Sequence, residues 1–365
     1  MEGQMGNSAP LKLGFIGCGR VAQMRHLPIL RDMKGVQINA LADIDPGTLS
    51  RVAGRYKVAH CYDNHLALLE NEAIDAVLVC TPPASHFEHA HDVLESGRHL
   101  YMDSPLALTV QECETLTVLG KSSGKVATVG LNLRYHSLVQ RARRCIQAGL
   151  IGPVQAITAT FSTPSRGKRG DKFPPWRQPH TVEGNVFGES ALQHFDTWRA
   201  LTAAEFTEVI VQCTEREGPV SLSAIMKGKE AGNSSSIVVA AIFSEHAGDN
   251  SEIRLMGREG TISLSLYRYD GFGYCPALVA QGSAGQHLRA IKESIWSLPQ
   301  GVRNLLNGGE YGITFKLQLD AFIEACRGGQ APLVSLSDGK AAAIASLAAF
   351  QSMNTAQKVE LPSGI

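Results

Sequence analysis

Three small residues near the start of the chain have the spacing that binds a phosphate group. Gly17, Gly19 and Ala22 follow the short apolar run LKLGFI and open a helix-like segment. The first glycine permits a tight turn, the second lets the backbone approach a pyrophosphate, and the alanine allows close packing of helix on strand. A pyrophosphate would then lie at the N-terminus of the helix. The pattern predicts a dinucleotide-binding turn, although a tight strand-to-helix turn can also carry glycines for backbone reasons alone.

An acidic residue stands where such a turn needs one. Asp43 ends a second apolar run, at 36–42, and lies 21 residues beyond Ala22. An acid at about this distance holds the adenosine ribose hydroxyls, so Asp43 favours NAD over NADP as the cofactor. The alternative is that Asp43 only caps the next helix, through the turn Asp-Ile-Asp-Pro with Pro46 at the first helical position.

Strand-like and helix-like segments alternate up to about residue 130. Short apolar runs at 36–42, 76–80, 99–102 and 126–129 are separated by helical patterns near 46–55, 84–96 and 109–123. This βαβ rhythm predicts a parallel sheet with helices on both faces. The rhythm changes after residue 131, where a helix-like segment at 137–148 leads into a strand-like run at 154–161. An irregular polar stretch at 162–184, several strand candidates within 206–266 and helices near 312–327 and 337–353 follow.

Composition narrows the function classes. The 365 residues suggest two domains, which we place at 1–131 and 132–365, and the 34 basic residues balance the 34 acidic ones. A balanced charge gives no field that would attract nucleic acid or an acidic membrane. The eight cysteines form no CxxC pair and are interpreted as reduced thiols, so no metal is expected. Without a leader-like start or a long apolar run, the expected location is the cytoplasm.

Further motifs resemble one family over nearly the whole chain. The similarity is to the Gfo/Idh/MocA family, the relatives of glucose-fructose oxidoreductase and inositol dehydrogenase. Besides the Gly17 turn, the matching segments are VLVCTPP (77–83) followed by His86, LESGRHL (94–100), DSPLA (103–107), NLRY (132–135), WR (176–177), DTWRAL (196–201), GREGTI (257–262) and PLVSLSDG (332–339).

The resemblance implies an α/β fold, a cofactor and a class of reaction. The N-terminal domain would be a doubly wound Rossmann parallel sheet, and the C-terminal α/β domain would carry a large, open, mostly antiparallel sheet. The implied reaction is an NAD(P)-dependent oxidation or reduction at a hydroxyl or carbonyl carbon of a sugar, a polyol or a related small molecule. The implied cofactor-binding residues are Gly17, Cys18, Gly19, Arg20, Val21, Asp43, Thr81, Pro82, His86, Asp103 and Asn132; the implied substrate-binding residues are Arg134, Trp176 and Arg177.

The chain departs from the family at the catalytic positions. The family reads Glu-Lys-Pro where this chain reads Asp103-Ser104-Pro105, and a serine cannot supply a cationic acid. Alignment of the DTWRAL segment places Glu189 and Gln193 where the family carries Asp and His. His194 follows directly, but neighbours on a helix face about 100° apart, so we expect only one of the two faces to line the cleft. The catalytic candidates are therefore Glu189, Gln193, His194 and Ser104.

Three functions stay open on these residues. The first is the oxidoreductase, since a lost acid or base slows catalysis by about 10²- to 10⁴-fold without removing the chemistry of the nicotinamide. The second is an NAD-binding sensor or partner protein without redox turnover. The third is a redox-neutral hydrolase or lyase that uses bound NAD transiently. The resemblance further implies a homo-oligomer, a dimer or a tetramer.

Overall fold

The chain folds into two compact units. A computed structural model describes residues 9–71, 73–162, 190–213, 221–230, 236–244, 250–278, 283–306 and 309–362. The first unit spans residues 1–130 and 315–340, and the second spans 131–314 and 341–365. The sequence-based division places 315–340 in the second domain, whereas this segment packs with the first unit.

The first unit is built on a six-stranded parallel sheet. The strands are β1 (Leu11–Ile16), β2 (Val36–Ala42), β3 (His60–Tyr62), β4 (Ala76–Val79), β5 (His99–Asp103) and β6 (Ala127–Gly130). Their order in the sheet is β3-β2-β1-β4-β5-β6, and every described pair is parallel. This is the doubly wound Rossmann order, in which the strand order reverses between β1 and β4. The expected N-terminal fold is confirmed.

Helices with recognisable caps connect these strands. They are α1 (Leu27–Arg31), α2 (Pro46–Tyr56), α3 (His65–Leu69), α4 (His86–Glu95) and α5 (Val110–Ser122). Asp45 caps α2 and Asn64 caps α3, while Thr109 and Glu112 form a capping box at α5. A π-helical turn at Ala22–His26 precedes α1, just ahead of Pro28. Because proline has no N–H and crowds the carbonyl four residues earlier, a wider turn at this point is expected.

The second unit is built on an eight-stranded sheet. Its strands are β7 (Val154–Ser162), β8 (Ala204–Cys213), β9 (Ser221–Glu230), β10 (Ser236–Ser244), β11 (Asn250–Gly257), β12 (Gly260–Ser265), β13 (Phe272–Pro276) and β14 (Val359–Glu360). Their order is β13-β12-β11-β7-β10-β9-β8-β14, with β7 and β10 parallel and the other described pairs antiparallel. The expected large, mostly antiparallel sheet is therefore confirmed.

Alternation along these strands separates a buried face from an exposed one. In β10 the buried residues Ile237, Val239 and Phe243 alternate with exposed ones. Phe243 packs against Phe195 and Trp198, with ring centroids 6.2 and 6.3 Å away. The remaining helices are α6 (Ser137–Gln147), α7 (Leu192–Thr202), α8 (Ala284–Leu306), α9 (Gly309–Cys326) and α10 (Leu336–Thr355), with α9 and α10 divided between the two units at residues 314 and 340. The buried face of the sheet thus holds α7 through aromatic packing.

Candidate functional site

The glycine turn after β1 leaves space for a phosphate group. Gly17 has a φ of +89°, and a Cβ there would lie 2.8 Å from the carbonyl of Cys80, so only glycine fits. At Gly19 a Cβ would meet no atom within 4 Å, which leaves the backbone open to a ligand. Ala22 is fully buried, as close packing of helix on strand requires. Arg20 and Val21, also expected at the cofactor, are exposed at the start of the helical segment. These features fit a dinucleotide pyrophosphate.

Asp43 lies beside that turn. One carboxylate oxygen accepts the Cys18 N–H at 2.7 Å, and the other accepts the Asp45 N–H at 2.9 Å. The cap of α2 is Asp45, whose side chain accepts from the N–H groups of Gly47 and Thr48, so the alternative role of Asp43 as that cap is wrong. Each Asp43 oxygen retains acceptor capacity for a hydroxyl group. Burial raises the pKa of Cys18 to about 12, so its side chain is a neutral thiol.

His86 joins the turns that follow β4 and β5. It is 1% exposed, and its ring nitrogens lie 2.9 Å from the Thr81 carbonyl oxygen and 2.6 Å from that of Pro105. The Thr81 hydroxyl pairs with His89 Nδ1 at 3.0 Å. Pro82, beside Thr81, is exposed. His86 thus supports the backbone of two turns at the carboxyl edge of the sheet, where ligands of this fold bind.

A buried histidine that the sequence did not mark contacts Asp103. His26 is fully buried, and its Nε2 lies 2.8 Å from Asp103 Oδ1. The Cys80 thiol also hydrogen-bonds Asp103, and burial, with this carboxylate beside it, holds the pKa of Cys80 well above its usual range. Ser104 follows Asp103 and is half-buried, with a cis peptide bond to Pro105. No local pattern reveals His26, because its partner lies 77 residues away in the sequence.

The second unit contains a cavity of about 160 Å³. Its lining residues come from a 3₁₀ turn at Asn132–Tyr135, from the start of α7 and the residues just before it, from β7 and β11, from the segment after β12 and from α9. They are Leu133, Phe161, Ser190, Gln193, His194, Ser251, Leu266, Tyr267 and Tyr311. We expected only one of the two faces that carry Gln193 and His194 to line a cleft, but both residues line this cavity. Neighbours about 100° apart on a helix can share one concave wall when the helix forms that wall.

His194 is held in one tautomer. Its Nδ1 lies 2.9 Å from the Ser190 carbonyl oxygen, which can only accept, so Nδ1 carries the hydrogen. Nε2 then presents its lone pair to the Ser251 hydroxyl at 3.2 Å. Burial among Phe161, Trp198 and Phe243 lowers the pKa of His194 to about 4, so the ring is neutral at pH 7.

The other expected site residues of this unit either have hydrogen-bond partners or lie outside the described residues. Arg134 binds Asp196 through Nε and Nη2 at 2.7 and 2.6 Å, in a buried bidentate pair. A guanidinium has five N–H donors, so a further contact with a substrate stays a prediction. Asn132 is buried and donates to the Thr314 hydroxyl at 2.7 Å. Glu189, Trp176 and Arg177 lie outside the described residues.

Fold and site define a protein with a dinucleotide-binding Rossmann unit and a second α/β unit. The N-terminal family model, described as "Oxidoreductase family, NAD-binding Rossmann fold", matches residues 11–131, and the model "GFO/IDH/MocA C-terminal domain" matches 139–263. The chain belongs to the GFO/IDH/MocA family of oxidoreductases. The expected cofactor, NAD, is confirmed.

Relatives match over almost the full length. The myo-inositol 2-dehydrogenase of Thermotoga maritima is 23% identical, covering 96% of this chain and 98% of its own. The scyllo-inositol 2-dehydrogenase (NAD(+)) of Bacillus subtilis is 22% identical and covers 96% of each. A scyllo-inositol dehydrogenase from Lactobacillus casei, solved with NAD(H) and scyllo-inositol, superposes with a TM-score of 0.76 at 16% identity, covering 96% of this chain and 99% of its own. No helix in the described ranges is long and apolar enough to cross a membrane.

Proposed function

We propose that this chain is an NAD-dependent oxidoreductase that oxidises a hydroxyl group of a polyol or sugar, or reduces the corresponding carbonyl. The observation that carries the proposal is the open backbone at Gly19 with the Asp43 carboxylate beside the same turn. Together these groups suit the pyrophosphate and ribose of NAD. The names of the full-length relatives favour an inositol-like polyol as substrate.

The cavity of the second unit has groups suited to a hydroxylated substrate. Bound NAD supplies a hydride acceptor. The Gln193 amide can accept from one substrate hydroxyl and donate to another, while Tyr267 and Tyr311 line the cavity with their rings 6.2 Å apart. Phenol rings offer both an apolar face and a polar end, which suits a ring that carries alternating C–H and O–H groups.

A pair of side chains in this cavity can move the proton that hydroxyl oxidation releases. The Ser251 hydroxyl can accept a proton from a substrate hydroxyl while passing its own to His194 Nε2, which is 3.2 Å away. The Ser190 carbonyl keeps the receiving nitrogen free of hydrogen by binding Nδ1–H. Since burial lowers the pKa of His194 to about 4, its neutral ring is a weak base that accepts this proton unfavourably, and we expect slow turnover.

The low basicity of His194 also favours a second candidate. Neither an NAD-binding protein without redox turnover nor a redox-neutral hydrolase or lyase carries out net hydride transfer. Neither therefore needs a strong base for that step. Glu189, outside the described residues, stays a predicted alternative proton acceptor.

We further propose that the chain works in the cytoplasm as a homo-oligomer, a dimer or a tetramer.

A single-turnover assay tests this proposal. Stoichiometric protein and NAD are mixed with a panel of inositols, other polyols and sugars, and nicotinamide absorbance is followed. The proposal predicts NADH formation, slowed about 10²- to 10⁴-fold by Ser251→Ala. Ser223→Ala, on an exposed position of β9, is the matched control and leaves the rate unchanged. If Glu189→Ala loses the reaction while Ser251→Ala reacts at the wild-type rate, Glu189 is the proton acceptor. Product without net NADH would favour the redox-neutral function.

A further inference from the structure

Helices α3 and α4 bring one imidazole and two carboxylates together in the first unit. His65 opens α3, where the Asn64 side chain accepts the Ala67 N–H at 2.8 Å and fixes the start of the helix. Glu88 and Asp92 lie four residues apart on α4 and therefore share one helix face. None of these three residues takes part in the proposed oxidoreductase chemistry.

The three side chains are close enough to bind one ion. One ligand atom from each of His65, Glu88 and Asp92 lies within 4.8 Å of the other two, and His65 Nε2 is 2.9 Å from Asp92 Oδ2. A tetrahedral zinc ion with bonds of about 2.0–2.2 Å holds its ligand atoms roughly 3.3 Å apart. Small rotations of the exposed Glu88 side chain can therefore complete a three-residue ligand set.

Neighbouring histidines orient two of these ligands. His91 Nδ1 lies 3.3 Å from Asp92 Oδ1, the carboxylate oxygen that does not face His65. The His89 ring packs edge-on against His65, with centroids 4.4 Å apart, and is itself held by the Thr81 hydroxyl. A hydrogen bond to a ligating carboxylate, such as the one between His91 and Asp92, is characteristic of protein metal sites.

We propose that His65, Glu88 and Asp92 form a binding site for a divalent transition metal ion of the zinc class. One nitrogen and two oxygens suit such an ion, and the exposed Glu88 leaves a side of the site open to water. The metal takes the place of the hydrogen between His65 Nε2 and Asp92 Oδ2; the neutral ring then carries its hydrogen on Nδ1, so that Nε2 offers its lone pair to the metal. The site is independent of the proposed oxidoreductase function.

A second cluster in the described residues must be distinguished from this one. The ligand atoms of His26, Cys80 and Asp103 also lie within 4.8 Å of one another. Those side chains already bind each other, and Asp103 is the last residue of β5, at the expected cofactor edge. The two clusters differ in chemistry, because only the second contains a thiol.

Co²⁺ is the probe that separates the two clusters. The full-length protein is freed of metal with a chelator and titrated with Co²⁺, then with Zn²⁺ in competition. We expect one Co²⁺ per chain with visible d–d absorption, no thiolate-to-cobalt charge-transfer band, and displacement by Zn²⁺. Glu88→Gln and Asp92→Asn, which keep side-chain size, are expected to weaken binding at least about tenfold. Glu95→Gln, an exposed glutamate on the same helix, is the matched control.

Three results would overturn the site: no Co²⁺ or Zn²⁺ binding at stoichiometric concentrations, a charge-transfer band that shows cysteine ligation, or unchanged affinity in both variants. Unfolding temperatures of the metal-free variants, compared with the metal-free wild type, separate lost ligation from lost folding. If His65→Ala is unstable, the two carboxylate variants still decide the question.

Discussion

The Asp43 carboxylate accepts a hydrogen bond from the backbone N–H of Cys18 at 2.7 Å. This contact places the acidic residue at the end of β2 directly beside the glycine turn at the end of β1. The two groups that we propose bind the ribose and the pyrophosphate of NAD are therefore adjacent.

Asp43→Asn is expected to weaken NADH binding and to reduce the preference for NADH over NADPH. Hydrogen bonds to a charged group contribute about 1.5–3 kcal/mol, so the affinity for NADH falls about tenfold or more. Fluorescence titration with both cofactors measures the effect. Asp45→Asn is the control, because asparagine also caps a helix and the Asp45 side chain accepts from N–H groups at the start of α2. An unchanged preference in Asp43→Asn would remove Asp43 from the ribose site.

Substitutions of the two glycines of the turn are expected to differ in their effect on the stability of the cofactor-free protein. Gly17→Ala forces a φ of +89° on a residue with a Cβ and brings that atom within 2.8 Å of the Cys80 carbonyl, so the free energy of unfolding falls by about 1–3 kcal/mol or more. Gly19→Ala adds a methyl group into open space, so the cofactor-free protein keeps its stability while NAD affinity falls. Thermal unfolding and NADH titration of both variants test this. Equal NAD affinity in Gly19→Ala and the wild type would show that the pyrophosphate lies elsewhere.

Two buried histidines predict how stability depends on pH. Burial lowers the pKa of both His136 and His194 from 6.5 to about 4. In the unfolded chain these two histidines become protonated below about pH 6.5, whereas in the folded chain they become protonated only near pH 4. The free energy of unfolding is therefore highest, as far as these histidines are concerned, above pH 6.5. It falls as the pH is lowered from 6.5 to 4, by about 1.4 kcal/mol per pH unit for each histidine.

His136→Asn is the variant that tests this dependence. The asparagine can replace His136 as the cap of α6, and the slope of unfolding free energy between pH 6.5 and 4 falls by about 1.4 kcal/mol per pH unit. Urea unfolding at several pH values measures the slope. The exposed His60→Asn serves as control. The same slope in His136→Asn and the wild type would mean that His136 is charged when folded.

The exposed face of the second sheet predicts how copies of the chain associate. Ile225 on β9 is 49% exposed and Ile242 on β10 is 52% exposed, on neighbouring strands of one sheet. Exposed apolar residues in one patch favour association. Ile225→Glu and Ile242→Glu are expected to lower the oligomeric state in sedimentation velocity. Ile295→Glu, at a 65% exposed position on α8, is the control. If only that variant dissociates the oligomer, α8 and not the sheet forms the interface.

The sequence predicted the elements that follow strong local patterns. Apolar runs and turn residues located β2, β4 and β5, and the caps of α2 and α5 agree with the predicted helices. It missed β3, which has three residues, and α8, whose interior contains Pro299. A short strand carries little periodicity, and proline normally ends a helix.

The candidate site was predictable only where its residues lie close together in the sequence. The glycine turn and Asp43 belong to one βαβ unit, so their spacing was informative. The contacts of His26 with Asp103 and of His194 with Ser251 join residues 77 and 57 positions apart. Such pairs depend on how strands are ordered and packed, which no local pattern records.

Transfer of deuterium from substrate carbon to the cofactor tests the central claim most directly. Stoichiometric protein and NAD are incubated with myo-inositol, scyllo-inositol and other polyols deuterated at carbon, and the nicotinamide is analysed by mass spectrometry. We predict deuterium on the nicotinamide ring with at least one polyol in the wild-type protein. We predict none in Gly19→Ala when the NAD concentration is below the dissociation constant of that variant for NAD. Unlabelled nicotinamide with every polyol, in protein that demonstrably binds NAD, would contradict the proposed oxidoreductase function.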